Sequence, residues 1–316
     1  MPHSRDRPAR QAAGPDMSVA LVVDGPDWHA RELIAAFAAL RVRATAVTLP
    51  ACAIATESAS GLELAGFGSR LPDAVFVRTM SGGTFEAVTL RLGILHALRE
   101  LGVRVWNDAR AIERCVDKSM TSFLMARAGI PTPATWATES HAAARAIVAR
   151  EAGRGPLVLK PLFGSQGRGL KLIRRPEELP DPPAVAGVYY LQRYVAAERD
   201  GFRDFRLLVS RGRVVAVMMR HAAHWITNVK QGGRPVAAVA DANTRDLALR
   251  AAAAVGADFA GVDILHGAEG RPTVLEVNSM PAWSALQKVA PVRIASILAG
   301  DVVAALGETA RRGAVV

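Results

Sequence analysis

Lysine is nearly missing from this chain. Of its 39 basic residues only five are lysines (Lys118, Lys160, Lys171, Lys230 and Lys288), and the other 34 are arginines. A chain that writes arginine wherever any cation serves tends to keep a lysine where a compact point charge is needed. Cysteine is scarcer still. Cys52 and Cys115 give neither a disulfide framework nor the paired spacing of a metal site, which suits two buried thiols in a cytoplasmic protein. No apolar run approaches the roughly 20 residues of a membrane helix, so no membrane association is expected. Residues 1–16 are polar, rich in proline and arginine, and lack the apolar middle of a signal peptide. They are expected to form a disordered extension, with Met17 available as a start. Aromatic residues make up 5% of the chain, and none interleave with a basic patch, so nucleic acid is not expected as the ligand. The formal net charge of +10 instead suits smaller anions such as nucleotides and acidic substrates.

What is present reads as alternating elements. Apolar runs at 19–25, 42–49, 73–79 and 103–107 have strand character, and the segments 29–40 and 84–102 have helical periodicity. Strands alternating with helices imply a mostly parallel sheet, hence an α/β domain over 17–108. Ligands gather at the carboxyl ends of such strands, which makes Arg78 and Ser81 candidates for binding a substrate. Beyond Ala109 the pattern changes. Helices are expected at 117–129, 140–152, 244–255 and 292–306, and strands at 156–160, 169–173, 188–195, 204–210, 214–220, 259–266 and 272–278. Several of these strands are joined by tight turns, which suggests antiparallel α+β lobes.

Two stretches carry chemistry. In "VLKPLFGSQGRGL" a strand ends in Lys160 and is followed by Gly164, Ser165, Gln166, Gly167 and Gly169. A Walker A loop would place its lysine after the glycines and open a helix; here the lysine comes first and a strand follows. The Rossmann fingerprint fails because no helix opens after the loop, and the kinase tripeptides His-Arg-Asp and Asp-Phe-Gly are absent. What remains is a cation on a rigid strand end beneath a flexible loop whose backbone N–H groups can fold over phosphates. The alternative is a hairpin that needs glycine only for its turns. In "GVDILHGAEGRPTVLEVNSMP", Glu276 and Asn278 are two apart and share a strand face, and Asp263 lies on the probable partner strand. Two carboxylates and an amide oxygen are hard ligands of the type that holds Mg²⁺ while phosphates complete its octahedron.

Together these stretches resemble the ATP-grasp superfamily, and within it the RimK-like glutamate ligases. The matching segments are "DKSMTSFLMARAGIPTP", "VLKPLFGSQGRGL", "LQRYV", "DFRLLV", "TNVKQGG", "AGVDIL" and "LEVNSMP", in the family's order over about 110–285. The resemblance implies an ATP-grasp fold: a Rossmann-like α/β lobe over 17–108 and two α+β lobes over 109–190 and 191–316 that clasp ATP. It implies that Lys118 and Lys160 contact the ATP phosphates, that Gln192, Arg193, Tyr194 and Val195 face adenine, and that Asp204 lies near the ribose. Arg206 and Arg220, with Asn228 and Lys230 close by, would steady the transferred phosphoryl group. Asp263, Glu276 and Asn278 would bind two Mg²⁺ or Mn²⁺ ions. The implied reaction is ATP-dependent joining of an amino acid, usually glutamate, to a carboxylate on a coenzyme, a peptide or a protein C-terminus, through an acyl phosphate. Another amine, or a nucleotide-binding regulator without turnover, are the alternatives, and a dimer or tetramer is common in the family. Three positions depart from its pattern. Arg193 replaces a hinge glutamate, Ile226 replaces an arginine, and Ala282 follows Pro281 where glycine is frequent.

Overall fold

The computed structural model describes residues 17–68, 70–164, 166–196, 201–267 and 270–313; the extension expected over 1–16 lies outside them. The chain begins with β1 (Ser18–Val22), α1 (Trp28–Ala39) and β2 (Arg43–Val47), then a small antiparallel pair, β3 (Ala53–Ile54) and β4 (Leu62–Glu63). After β5 (Ala74–Val77), α2 (Phe85–Glu100) and β6 (Arg104–Trp106), a four-stranded sheet is complete in the order β2-β1-β5-β6, parallel throughout. Its central strands β1 and β5 are buried on both faces, as parallel strands are when helices cross over on either side; the edge strand β2 is partly exposed. Ala20, Val22, Val75 and Val77 meet Ile94, Leu95 and Leu98 of α2. The alternate residues Val19, Leu21 and Phe76 point the other way, toward Leu33 and Phe37 of α1.

A helical pair follows, α3 (Ala109–Val116) and α4 (Lys118–Arg127), with β7 (Thr135–Thr138) and α5 (His141–Glu151) after it. Sequence reasoning missed α3 and β7. The helix expected over 117–129 is α4; Asp117 is both the end of α3 and the N-cap of α4, its carboxylate accepting from the N–H groups of Ser119 and Met120. Pro131 and Pro133 read as a break, yet β7 starts just beyond them as an edge strand, where missing N–H donors are tolerated. It pairs with β10 (Tyr189–Arg193), which pairs with β8 (Leu157–Lys160) and through it with β9 (Lys171–Ile173), all antiparallel. Helix α5 covers one face of this sheet through Ala144 and Val148.

The third sheet has the order β13-β12-β11-β14-β15. Its members are β11 (Phe202–Ser210), β12 (Arg213–Ala222), β13 (Arg234–Ala237), β14 (Phe259–His266) and β15 (Pro272–Asn278). The expected hairpin at 211–213 is present. Arg211 and Gly212 both have positive φ, 50° and 68°, the geometry a two-residue hairpin turn needs. Helix α6 (Ala242–Val255) packs on one face through Leu247, Ala248 and Ala251. The short α7 (Ser284–Gln287) and the closing α8 (Ile294–Gly313) complete the chain.

The core of the first sheet is not closed by its own residues. Leu298, Ala299 and Val302 of α8, with Phe259 and Trp283, belong to the same buried cluster as Leu21, Phe37 and Phe76. The third sheet and the first are therefore bonded through one continuous core. Polar contacts run through this junction as well. His29, 8% exposed, accepts at Nε2 from the backbone N–H groups of Trp283 (3.1 Å) and Ser284 (3.2 Å). Its Nδ1 faces Asp27 Oδ2 at 3.0 Å, an arrangement that needs the neutral ring with its proton on Nδ1.

Burial, and then the Arg78 guanidinium, hold His29 below its ordinary value of 6.5, against the upward pull of Asp27. The unfolded chain therefore takes up this proton first as the pH falls. The stability tied to neutral His29 is whole above about pH 6.5 and is lost on acidification below it. Melting temperature should drop between about pH 7.5 and 5.5, and drop less in His29→Gln, which keeps an acceptor but cannot titrate. Equal slopes would count against this role of His29.

Candidate active site

Strand β8 ends in Lys160, whose ammonium donates to Gln192 Oε1 at 2.6 Å across the β8–β10 pair. Val158, two residues back on the same face, lines the same cleft as Lys160. Asp263 and Glu276 lie on its opposite wall, with Asn228 at its edge. The cleft thus joins the strand-end lysine to the acidic hairpin, and its apolar surface comes from Leu170, Trp225, Ile226, Leu265 and Leu275. Of these five only Ile226 was singled out from sequence, as a departure from the family pattern. Leu265 could have been, because it sits two residues from Asp263 on one strand face. Burial lowers the pKa of Lys160, while Glu276 and Asp263 favour its charge.

The glycine loop folds down onto the connection between β12 and β13. Gln166, Gly167 and Gly169 have φ of 64°, 68° and 71°. A Cβ added to Gly167 would stand 2.8 Å from Ile226 Cγ2, so glycine is needed there for both conformation and space. The Gln166 carbonyl accepts from Gln231 Nε2 at 3.3 Å. Lys118, the first residue of α4, donates to the carbonyls of Leu162 (3.1 Å) and Gly164 (2.8 Å). This lysine therefore ties the loop to the helix. Ser165 lies outside the described residues. A second cavity lies beyond the loop, lined by Met80, Gly82, Lys118, Tyr190, Asn278 and Met280 among others. Leu275 and Glu276 line both cavities.

Strand register builds the charge pattern. Asp204 lies opposite Arg220, Arg206 opposite Asp263, and Asp263 opposite Glu276. Asp263 accepts from Arg206 Nε (2.7 Å) and Nη2 (2.6 Å), and Arg220 Nη2 stands 2.9 Å from its Oδ2. Burial alone would raise the pKa of Asp263; the two guanidiniums outweigh it and hold the carboxyl at about 2. Arg220 Nε donates to Asp204 Oδ1 at 2.8 Å, and its Nη2 pairs with Oδ2. Asn278 and Glu276 do share a face, with Asn278 Nδ2 donating to Glu276 Oε1 at 2.8 Å.

Several expected positions are engaged differently from their expected roles. Asp204 borders the cleft, but it is 2% exposed and its carboxylate is taken up by Arg220. Arg193 turns its guanidinium to Glu151, Nη2 to Oε2 at 2.5 Å, and lies over the Trp136 ring. The N–H groups of Arg193 and Tyr194 are directed at the carbonyls of Ala134 (2.8 Å) and Pro156 (3.1 Å). Tyr194 and Val195 do line the cleft, where the Tyr194 ring meets Trp225 edge-on. Asn228 accepts from the Lys230 N–H at 2.9 Å, and Lys230 is exposed and lines neither cavity. Arg78 is buried and lines neither cavity; Nη1 donates to the Met280 carbonyl at 3.2 Å. The Ser81 hydroxyl donates to Asp24.

The oxygen set of Asp263, Glu276 and Asn278 fits a hard divalent ion, provided that Arg206 yields some of its hold on Asp263. Among the described residues no group of three or more His, Cys, Asp or Glu could hold a metal by itself. A set of two carboxylates and an amide suits an ion whose remaining ligands are phosphate oxygens or water.

Comparison with known proteins extends the geometry. Residues 115–306 match the family described as RimK-like ATP-grasp domain. A tetrahydromethanopterin:alpha-L-glutamate ligase of Methanosarcina acetivorans is 34% identical over 304 residues, 83% of this chain and 90% of that protein. A ribosomal protein bS6–L-glutamate ligase of Salmonella newport is 35% identical over 235 residues, 72% and 76% of the two chains. Among solved structures, the ATP-grasp ligase PsnB with minimal precursor, Mg and ADP superposes with a TM-score of 0.71 at 20% identity, covering 94% of this chain and 100% of that one. The RimK domain ATP-grasp protein of Sphaerobacter thermophilus gives 0.64 at 22% identity over 90% and 99%. No described helix is long and apolar enough to cross a membrane.

Arg220→Met would leave Asp204 buried without its partner. It is expected to cost about 3–5 kcal/mol in a denaturant melt. A loss under about 1 kcal/mol would mean that the ion-pair ladder does not hold the sheet.

Proposed function

The chain belongs to the RimK-like ATP-grasp ligases, and from that premise we propose that it attaches glutamate to a carboxylate acceptor, with two divalent ions held by Asp263, Glu276 and Asn278. The family couples ATP, with Mg²⁺, to amide-bond formation. The observation that carries the site assignment is the cleft that brings Lys160 opposite Asp263 and Glu276 beneath the glycine loop. Glutamate as the amine is supported by the two relatives named as glutamate ligases. They act on a coenzyme and on a ribosomal protein respectively, so the acceptor is the open choice.

No protein nucleophile is needed. The acceptor carboxylate attacks the γ-phosphorus of ATP, ADP leaves, and the acyl phosphate is attacked by the amine, which releases phosphate. Positioning and charge neutralisation are the protein's share. Lys160 and Lys118 would offset repulsion between carboxylate and triphosphate, Lys118 by exchanging the loop carbonyls for phosphate oxygens. Val158, Leu265 and Trp225 would enclose the base. Arg206, which lines neither cavity and is bonded to Asp263, would turn from it toward the transferred phosphoryl group. The bound metal supplies Lewis-acid polarisation of the phosphoryl oxygens. The loop over the cleft keeps water from the acyl phosphate.

Lys160→Ala should weaken ATP binding by roughly 10- to 100-fold, the loss of one charge-assisted hydrogen bond of about 1.5–3 kcal/mol, as read by titration calorimetry. Glu276→Ala should lower kcat by on the order of 100-fold or more with the fold retained, since a metal contributes several kcal/mol at the transition state. Wild-type turnover in that variant would refute the metal assignment. Scoring ADP release with all twenty amino acids against pterin-type coenzymes, acidic peptides and protein C-termini would identify amine and acceptor. A preference for an amine other than glutamate would overturn the glutamate assignment alone.

A further inference from the structure

Three polar side chains of the first lobe, on three separate elements, are buried at one place. His29 (8% exposed) is on α1, Arg78 (4%) follows β5, and Asn107 (0%) follows β6. None lines either cavity. All three bond the backbone of one segment, the chain leaving β15. Asn107 Nδ2 donates to the carbonyl of Ser279 at 2.6 Å, and also to that of Phe259 at 2.5 Å; its Oδ1 accepts from the Phe259 N–H at 2.9 Å. Arg78 Nη1 donates to the Met280 carbonyl, with its guanidinium carbon 5.1 Å from the centre of the Trp283 ring. His29 accepts from the N–H groups of Trp283 and Ser284. Bonding to backbone groups does not depend on the side chains of 279–284; it fixes where that stretch of chain runs. The segment is pressed from its other side too, where a Cβ on Gly261 would come within 2.8 Å of Pro281 Cβ.

We propose that His29, Arg78 and Asn107 are positioning residues, a clamp by which the first lobe sets the exit of β15 and so the register of Glu276 and Asn278 in the metal site. The inference rests on the reading of those two residues as metal ligands. Asn278 is the last residue of β15 and Ser279 the first that the clamp holds, so the nearest fixed point is one peptide away from a ligand. Gly261, against which the segment rests, pairs with Asn278 across the sheet. A slack exit segment would let Asn278 rotate away from the face it shares with Glu276. Nucleotide contacts at Lys160, on another sheet, would be untouched. The first lobe thereby has a part in the chemistry without a side chain in the cleft.

The test is Mn²⁺ binding in the presence of ADP, followed by electron paramagnetic resonance on the full chain below its melting temperature. His29→Phe keeps a ring but removes the acceptor; Arg78→Met keeps length but removes the donors; His29→Gln keeps an acceptor. The first two should raise the Mn²⁺ dissociation constant about tenfold or more, the low edge of what loss of an outer partner costs a metal site. They should raise the half-saturating Mg²⁺ concentration in parallel and leave the ATP KM at saturating Mg²⁺ unchanged, and His29→Gln, which keeps the acceptor, should bind Mn²⁺ as wild type does. If Arg78→Met does not fold, His29→Phe compared with His29→Gln decides. Mn²⁺ affinity within about twofold of wild type, alongside a lowered melting temperature, would overturn the clamp and leave a purely structural junction. Unchanged Mn²⁺ affinity in Glu276→Gln would instead remove the metal site itself, and the clamp with it.

Discussion

A buried carboxylate between two guanidiniums organises this molecule. Asp263 lies on the central run of β14, with Arg206 opposite it on one side and Glu276 on the other. A lone charge there would be neutralised by desolvation. With Arg206 and Arg220 bonded to it, the carboxylate stays ionised, and Asp204 in turn balances Arg220. Each partner is supplied by strand register, so a one-residue slip of β11 against β14 would turn the paired side chains to the wrong face. The same ladder that stabilises the third sheet therefore aims its acidic groups at the cleft. Replacing such a ladder whole by apolar residues is often neutral or stabilising, whereas removing one partner from it is costly.

Against that floor the lysines act from above. Lys160 stands on the end of a strand and Lys118 on the first turn of a helix, both within reach of the glycine loop or the cleft. Lys118 holds loop carbonyls in this structure and so keeps the lid attached to α4. A compact ammonium with rotatable donors can change partners more readily than a planar guanidinium, which gives a physical reason for lysine in a chain so biased toward arginine. Lys171 and Lys230, by contrast, are exposed, and composition alone could not separate the two pairs.

The first lobe is joined to the rest by a core rather than by a linker. Helix α8, at the far end of the chain, covers the face that α1 leaves open, and Trp283 and Phe259 fill the seam. Buried polar groups at such a seam need partners. His29, Arg78 and Asn107 find partners in backbone groups beside β15, although Arg78 Nε and Trp283 Nε1 are buried without one. Packing and function meet at this junction, and a position such as Arg78 that reads from sequence as a substrate contact is instead an internal tie.

Much of this was legible in the order of residues. The parallel α/β lobe, the strand–loop–strand around Lys160 and the shared face of Glu276 and Asn278 follow from alternation and turn chemistry, which are local properties of the chain. What the sequence could not decide were the partners. Nothing near Arg193 says that it will reach Glu151, 42 residues away, or that His29 will accept from Trp283 and Ser284 more than 250 residues on. A strand's two faces are set by its own period, but which charge meets which depends on the register and stacking of segments far apart in the chain. The chemistry of the site was therefore written in short stretches of sequence. Tertiary structure alone decided which cations remain available to a ligand and which are held in place by the fold.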